Sequence, residues 1–104
     1  MEHELRTYVA APGRMDDLLA RFREHTIGLF ERHGIRSVAY WTDRDRPDRL
    51  VYLVAHEGDP EQSWAAFRAD PEWQEVRERS LAEGPLTLSI ESVYLAPAGI
   101  GPVP

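Results

Sequence analysis

Few side chains in this sequence can move a proton or hold a charge in an enclosed place. Four histidines stand at 3, 25, 33 and 56, and all twelve basic side chains are arginine. Histidine titrates near neutrality and serves as general acid or base, while arginine is a fixed cation that forks carboxylates and oxyanions. His33, His56 and Arg6 are therefore the candidate catalytic residues. With no cysteine in the chain, thiolate nucleophiles, disulfides and cysteine-bound metals are excluded. With no lysine, Schiff-base chemistry has no side chain to use. No two histidines are three or four residues apart, and no HExxH-like or carboxylate-rich loop occurs. A metal site is not expected. Nucleophile-elbow, phosphate-loop and dinucleotide signatures are also missing. No cofactor is expected, although haem held by a single histidine would leave no spacing pattern to detect.

These residues must be positioned by elements the sequence marks clearly. Residues 3–9 alternate, with Leu5, Thr7 and Val9 on one face and Glu4, Arg6 and Tyr8 on the other. Pro12-Gly13 breaks this strand. A helix follows over 14–33, with Met15, Leu18, Leu19, Phe22, Leu29 and Phe30 at helical spacing and Gly34 as its left-handed stop. Ile35 to Thr42 and Arg49 to Glu57 read as strands around a polar hairpin loop. Asp59-Pro60 and Asp70-Pro71 each combine an N-cap with proline at the first helical position, so two helical pieces with a break between them are expected. Gly84-Pro85 ends the second piece, and Leu86 to Leu95 alternates as the last strand. The order βαββαβ predicts an α+β, ferredoxin-like antiparallel sheet with both helices on one face. One domain over 1–96 and a Pro/Gly-rich tail over 97–104 are expected.

On a wheel drawn from Met15 at about 100° per residue, Thr26 and His33 fall inside the apolar stripe. There they either meet helix-end partners or line a pocket beneath the helices. His56 shares a face with Leu50, Tyr52 and Val54 and either approaches the same pocket or faces solvent at the strand end. Arg6 needs an anion, from Glu4, Glu57, Glu91 or a bound carboxylate. Tyr8, Thr26, Tyr40, Trp41, Trp64 and Phe67 are the candidate ligand-binding residues. The aromatic members, with Trp73, either fill the core or wall a site for a planar molecule.

Two helices cover only one side of such a sheet. The other side is expected to carry Glu4, Arg6 and Tyr8, with Ser89, Glu91 and Val93 and one or other set of third-strand apolar residues. A face that apolar calls for a cover, and a second copy of the chain is the expected one. The net charge of −6 argues against nucleic acid as a partner. No apolar run suits a membrane span, and a cytoplasmic protein is expected.

The run Glu4-Leu5-Arg6-Thr7-Tyr8, then Pro12-Gly13, then Phe30-Glu31-Arg32-His33-Gly34-Ile35, resembles the NIPSNAP family. Tyr40-Trp41-Thr42 and the stretch Trp64 to Trp73 resemble it as well. The resemblance implies a dimeric α/β barrel, in which two ferredoxin-like sheets face each other across a two-fold axis. Proteins of that wider superfamily include cofactor-free monooxygenases, lactone isomerases, polyketide cyclases and haem-degrading members. The resemblance brings no catalytic motif. Two functions are therefore expected as alternatives. One is a cofactor-independent cyclase, isomerase or monooxygenase acting on a small apolar or aromatic metabolite. The other is a non-catalytic dimeric ligand-binding or protein-interaction module.

Overall fold

The computed structural model describes residues 1–102; the end of the expected tail, 103–104, lies outside the described residues. Strand β1 (Glu2–Ala10) leads through the Pro12-Gly13 turn into helix α1 (Met15–Arg21). A single wide π turn, Phe22–Thr26, joins α1 to α2 (Ile27–Arg32). Strands β2 (Ile35–Thr42) and β3 (Arg49–His56) follow, then helices α3 (Pro60–Ala69) and α4 (Pro71–Ser80), and strand β4 (Thr87–Leu95). The sheet order is β2-β3-β1-β4, all neighbours antiparallel, with the helices on one face. This is the expected ferredoxin-like arrangement.

The local signals act as their chemistry requires. Asp59 accepts a hydrogen bond from Gln62 N at 3.2 Å, and Asp70 accepts one from Glu72 N at 2.9 Å. Each aspartate thus caps a helix whose first residue is proline, a position with no N–H to leave unpaired. Gly34, at φ 75°, turns the chain out of α2 into β2. In β2 the register shifts between Ser37 and Ala39, leaving Val38 as the extra residue of a bulge.

The face of β1 is reversed from the expectation. Glu4 pairs with Val54, Arg6 with Tyr52 and Tyr8 with Leu50, and this row lies under the helices. Leu5, Thr7 and Val9 instead share the uncovered face with Val51 and Leu53 of β3 and with Ser89, Glu91 and Val93 of β4. Apolar content alone favoured Leu5 and Val9 as the inward side. The polar row wins because its members satisfy one another when enclosed, which removes most of the cost of burial. Around it the core is strongly aromatic, with Phe22, Phe30, Tyr52, Trp64 and Phe67 packed mainly edge to face.

Candidate functional site

Glu4 organises the buried polar row, and its side chain is 0% exposed at the residue level. Oε1 accepts from His56 Nε2 at 2.7 Å and from Trp64 Nε1 at 2.8 Å. Oε2 accepts from Arg6 Nη1 at 2.8 Å and from the Ser92 hydroxyl. Burial by itself would raise the Glu4 pKa, but the donors Ser92, His56, Arg6 and Trp64 outweigh it and hold the carboxyl below its ordinary value. Glu4 is thus the anion that Arg6 requires.

Arg6 carries the network toward open space. Its Nε donates to the Tyr52 hydroxyl at 2.8 Å and its Nη2 to the Tyr8 hydroxyl at 3.3 Å, while the guanidinium lies over the Trp64 ring at 4.3 Å. Burial opposes the charge on Arg6, yet Tyr8, Tyr52 and Glu4 together raise its pKa above the usual arginine value. Tyr52 donates to Tyr8 at 3.0 Å. The Tyr52 hydroxyl is itself held well above its ordinary pKa, first by burial. The Tyr8 oxygen therefore accepts twice, and among the described residues nothing accepts its own proton.

Tyr8 lines a cleft of about 590 Å³ between the helices and the β1–β4 side of the sheet. Arg6, Tyr8, Phe22, Trp64 and Trp73 form its walls, and Thr26 and Phe67 also line it. The cleft exists because β4 lies beyond the helices' cover: Ile90 and Tyr94, on the helix side of β4, are exposed. No Asp or Glu is among the lining residues, whereas Arg6, Arg21, Arg68 and Arg77 all are. A second concavity of about 420 Å³ between α1 and α4 mixes acidic and basic walls, with Asp17, Glu24 and Glu83 beside Arg14 and Arg79.

The sequence-derived candidates divide between the cleft and other places. Arg6, Tyr8, Thr26, Trp64 and Phe67 line the cleft. Thr26 is buried, and its hydroxyl donates to the Arg21 carbonyl at 3.2 Å, closing the π turn. His56 is buried on the helix side, outside the cleft lining, bonded to Glu4 and packed edge-on against Trp64; its Nδ1 has no partner among the described residues. His33 has left helical geometry, with φ −108°, and its Nε2 sits 2.7 Å from Asp70 Oδ2. This places it at the seam between α2 and the α3–α4 break, outside the cleft lining. Tyr40 is on the helix side, stacked on Tyr52 at 4.9 Å, with burial pushing its hydroxyl up to about 12. Trp41 pairs with Val51 on the uncovered face and is 54% exposed, so it cannot share an aromatic wall with Trp64.

Arg21 escaped the sequence reading. At about 100° per residue from Met15 it falls near 240°, apparently on the polar side of the helix. The wheel was centred on twenty residues as if they formed one regular helix. At this end of the helix the buried residues are Leu18 of α1 and Phe22 where the π turn begins, near 300° and 340°, which brings Arg21 to the edge of the covered face. Glu4 was among the anions expected for Arg6, because two residues before it on a strand it must share its face.

These features define a class, an α+β protein of ferredoxin-like fold with a cationic, aromatic cleft between sheet and helices. More narrowly, the chain belongs to the NIPSNAP family, whose profile matches residues 3–102. A NIPSNAP family protein of unknown function from Agrobacterium tumefaciens is similar in structure at 24% identity and TM-score 0.82, over 99% of this chain and 93% of that one. An uncharacterised NIPSNAP domain protein from Burkholderia xenovorans is similar at 25% identity and TM-score 0.79, over 98% and 99%. At 13% identity, a putative antibiotic biosynthesis monooxygenase from Nitrosomonas europaea shares the fold with TM-score 0.67, over 94% and 99%. No curated protein matches the chain.

Proposed function

We propose that this NIPSNAP protein binds a small planar molecule in the Arg6–Tyr8–Trp64 cleft and promotes proton transfer on it without a cofactor. The observation that carries this reading is the Tyr8 hydroxyl, whose proton no described residue accepts, in the wall of the cleft beside a largely buried, carboxylate-anchored guanidinium. Such a pair is suited to an enol, enolate or phenolate oxygen. Tyr8 donates a hydrogen bond to it and Arg6 offsets its charge, in a partly dry place where both effects are strong. Water entering the cleft takes the carbon-bound proton. His56 acts through Glu4 as a positioning residue for Arg6. Cyclases, isomerases and cofactor-free monooxygenases all pass through such an oxygen, and the fold shared with the Nitrosomonas europaea protein is consistent with that group.

The test is α-proton exchange of 2-tetralone in D₂O, followed by NMR. Wild-type protein is expected to accelerate exchange, and Tyr8→Phe to lose at least about tenfold of that acceleration, a conservative share of an oxyanion donor's worth. If 2-tetralone neither binds nor exchanges faster, this reading falls. Binding without faster exchange would favour the second reading, a ligand-binding module without turnover. That alternative is supported by the two histidines, each committed to a carboxylate and turned from the cleft.

We further propose that the uncovered face closes on a second copy of the chain. Leu5, Val51 and Leu53 are half-buried there, and Trp41, Val93 and Leu95 are well exposed, with Val93 at 55%. A continuous apolar sheet face of this kind is self-complementary about a two-fold axis, the commonest oligomer symmetry. Sedimentation velocity at micromolar concentration reads the outcome directly: a dimer is expected, and a monomer would sink this part of the reading.

A further inference from the structure

Arg21 is placed unlike any other arginine in the molecule. Its Nη1 donates to Ser80 Oγ at 3.0 Å, and its guanidinium lies 5.0 Å from the Trp73 ring centroid. Among the described residues it makes no ion pair, and its Nε is enclosed without a hydrogen-bond partner. An unpaired guanidinium N–H removed from water is costly, and the protein supplies no acceptor for it. Serine and tryptophan fix the plane of the group on one side. The amine left over is Nη2, which makes no hydrogen bond among the described residues and can donate to a carboxylate oxygen.

The surroundings repeat the bias. Arg77 and Arg68 stand exposed at the rim of the same cleft, and neither makes an ion pair among the described residues. Burial first, then the like charge of Arg77, lowers the pKa of Arg21, so the group is held against its electrostatic preference. No carboxylate lines the cleft, in a chain with 18 acidic residues and a net charge of −6. Of the four arginines at this cleft only Arg6 has a carboxylate partner, and the cationic excess of the other three is unfavourable unless an anion joins them.

We infer that the molecule the cleft takes is a planar, unsaturated carboxylic acid, its carboxylate accepting from Nη2 of Arg21 with Arg77 beside it at the rim. The flat body then lies among Trp64, Trp73 and Phe22, and the far end reaches Tyr8 and Arg6. This rests on the small-molecule reading above and adds the charge and the anchoring residue.

The test compares 2-naphthoate with its neutral isostere 2-naphthamide by isothermal titration calorimetry. Naphthoate is expected to bind wild-type protein at least about tenfold more tightly, the scale of one charge-assisted hydrogen-bond pair. Arg21→Gln should abolish that preference. Equal affinity for both probes in wild type would overturn the anion inference while leaving the small-molecule reading standing. Failure of both probes to bind would remove that reading and the inference together. A preference that survives in Arg21→Gln would overturn the anchoring role. Should that variant not fold, the exposed Arg77→Gln decides: a several-fold fall in the preference supports the inference, and no change overturns it.

Discussion

The two faces of the sheet invert the usual division of polarity. The covered face holds Glu4, Arg6, His56 and three tyrosines beneath the helices, while the uncovered face presents Leu5, Val51, Leu53, Trp41 and Val93. Inside, the polar groups are interlinked, one carboxylate accepting from four donors and one guanidinium donating to three acceptors. Outside, Trp41 and Val93 are each left more than half exposed. The lesson is that burial follows satisfaction rather than hydropathy. A strand carrying Glu, Arg and Tyr at alternate positions is a good inner strand if those residues complete one another.

The largest effect should come from breaking the inner set at its centre. Glu4→Ala strands Arg6 as an unpaired buried charge and leaves His56, Trp64 and Ser92 without their acceptor. A loss of about 3–5 kcal/mol is expected, a large part of a domain's whole stability. Denaturant titration measures it, and a loss under about 1 kcal/mol would mean the network is far looser than its geometry. On the outer face Leu53→Arg should instead leave the protomer folded and abolish self-association. A centrifugation profile unchanged from wild type would mean that this face is not where copies meet.

Tyr52→Phe is gentler. It removes the oxygen that accepts from Arg6 and donates to Tyr8 but keeps the ring stacked between Tyr40 and Phe30. A cost of about 1–2 kcal/mol is expected, again by denaturant titration. The smallest effect concerns pH. Asp70 is held down at about 2 from its model-compound value of 3.8, first by the His33 hydrogen bond and then by the Glu72 amide and Arg32. A depressed carboxylate pKa contributes stability that is fully present above the unfolded value and lost as pH falls through the folded one. Stability should therefore decline between about pH 4 and pH 2, the window of that shift. Asp70→Asn, which keeps a good helix cap, should flatten this part of the melting-temperature profile. Glu4, also depressed, titrates from a similar starting point, so an unaltered acid limb in Asp70→Asn would assign the decline to Glu4.

Much of the fold could be read from the chain because its punctuation is local. Asp59-Pro60, Asp70-Pro71 and Gly34 each act through a few adjacent backbone groups, and each terminates or starts its element where expected. The face of β1 was not legible in this way. Its choice depends on His56, Trp64 and Ser92, which lie 52, 60 and 88 residues from Glu4. The site was legible in part. Arg6, Tyr8 and Trp64 stand together at the cleft because they share the inner layer, whereas Trp41, next to Tyr40 beyond the β2 bulge, points to the other face. Arg21 carried no signal, because a wheel averaged over an irregular helix assigns it to the wrong side.

That irregularity has a consequence for how the protein can vary. The π turn Phe22–Thr26 holds one residue more than an α-helical path would use and takes it up in a wider loop of backbone, so α1 and α2 keep the phase of one continuous helix. Removing one exposed residue from it, such as Glu24, would close that loop and leave Arg21 at the cleft and Leu29 and Phe30 in the core. A deletion inside α1 or α2 has no such slack and would turn one half by about 100° against the other. A descendant chain can therefore shorten this helix at the point where the cleft begins far more readily than anywhere else along it.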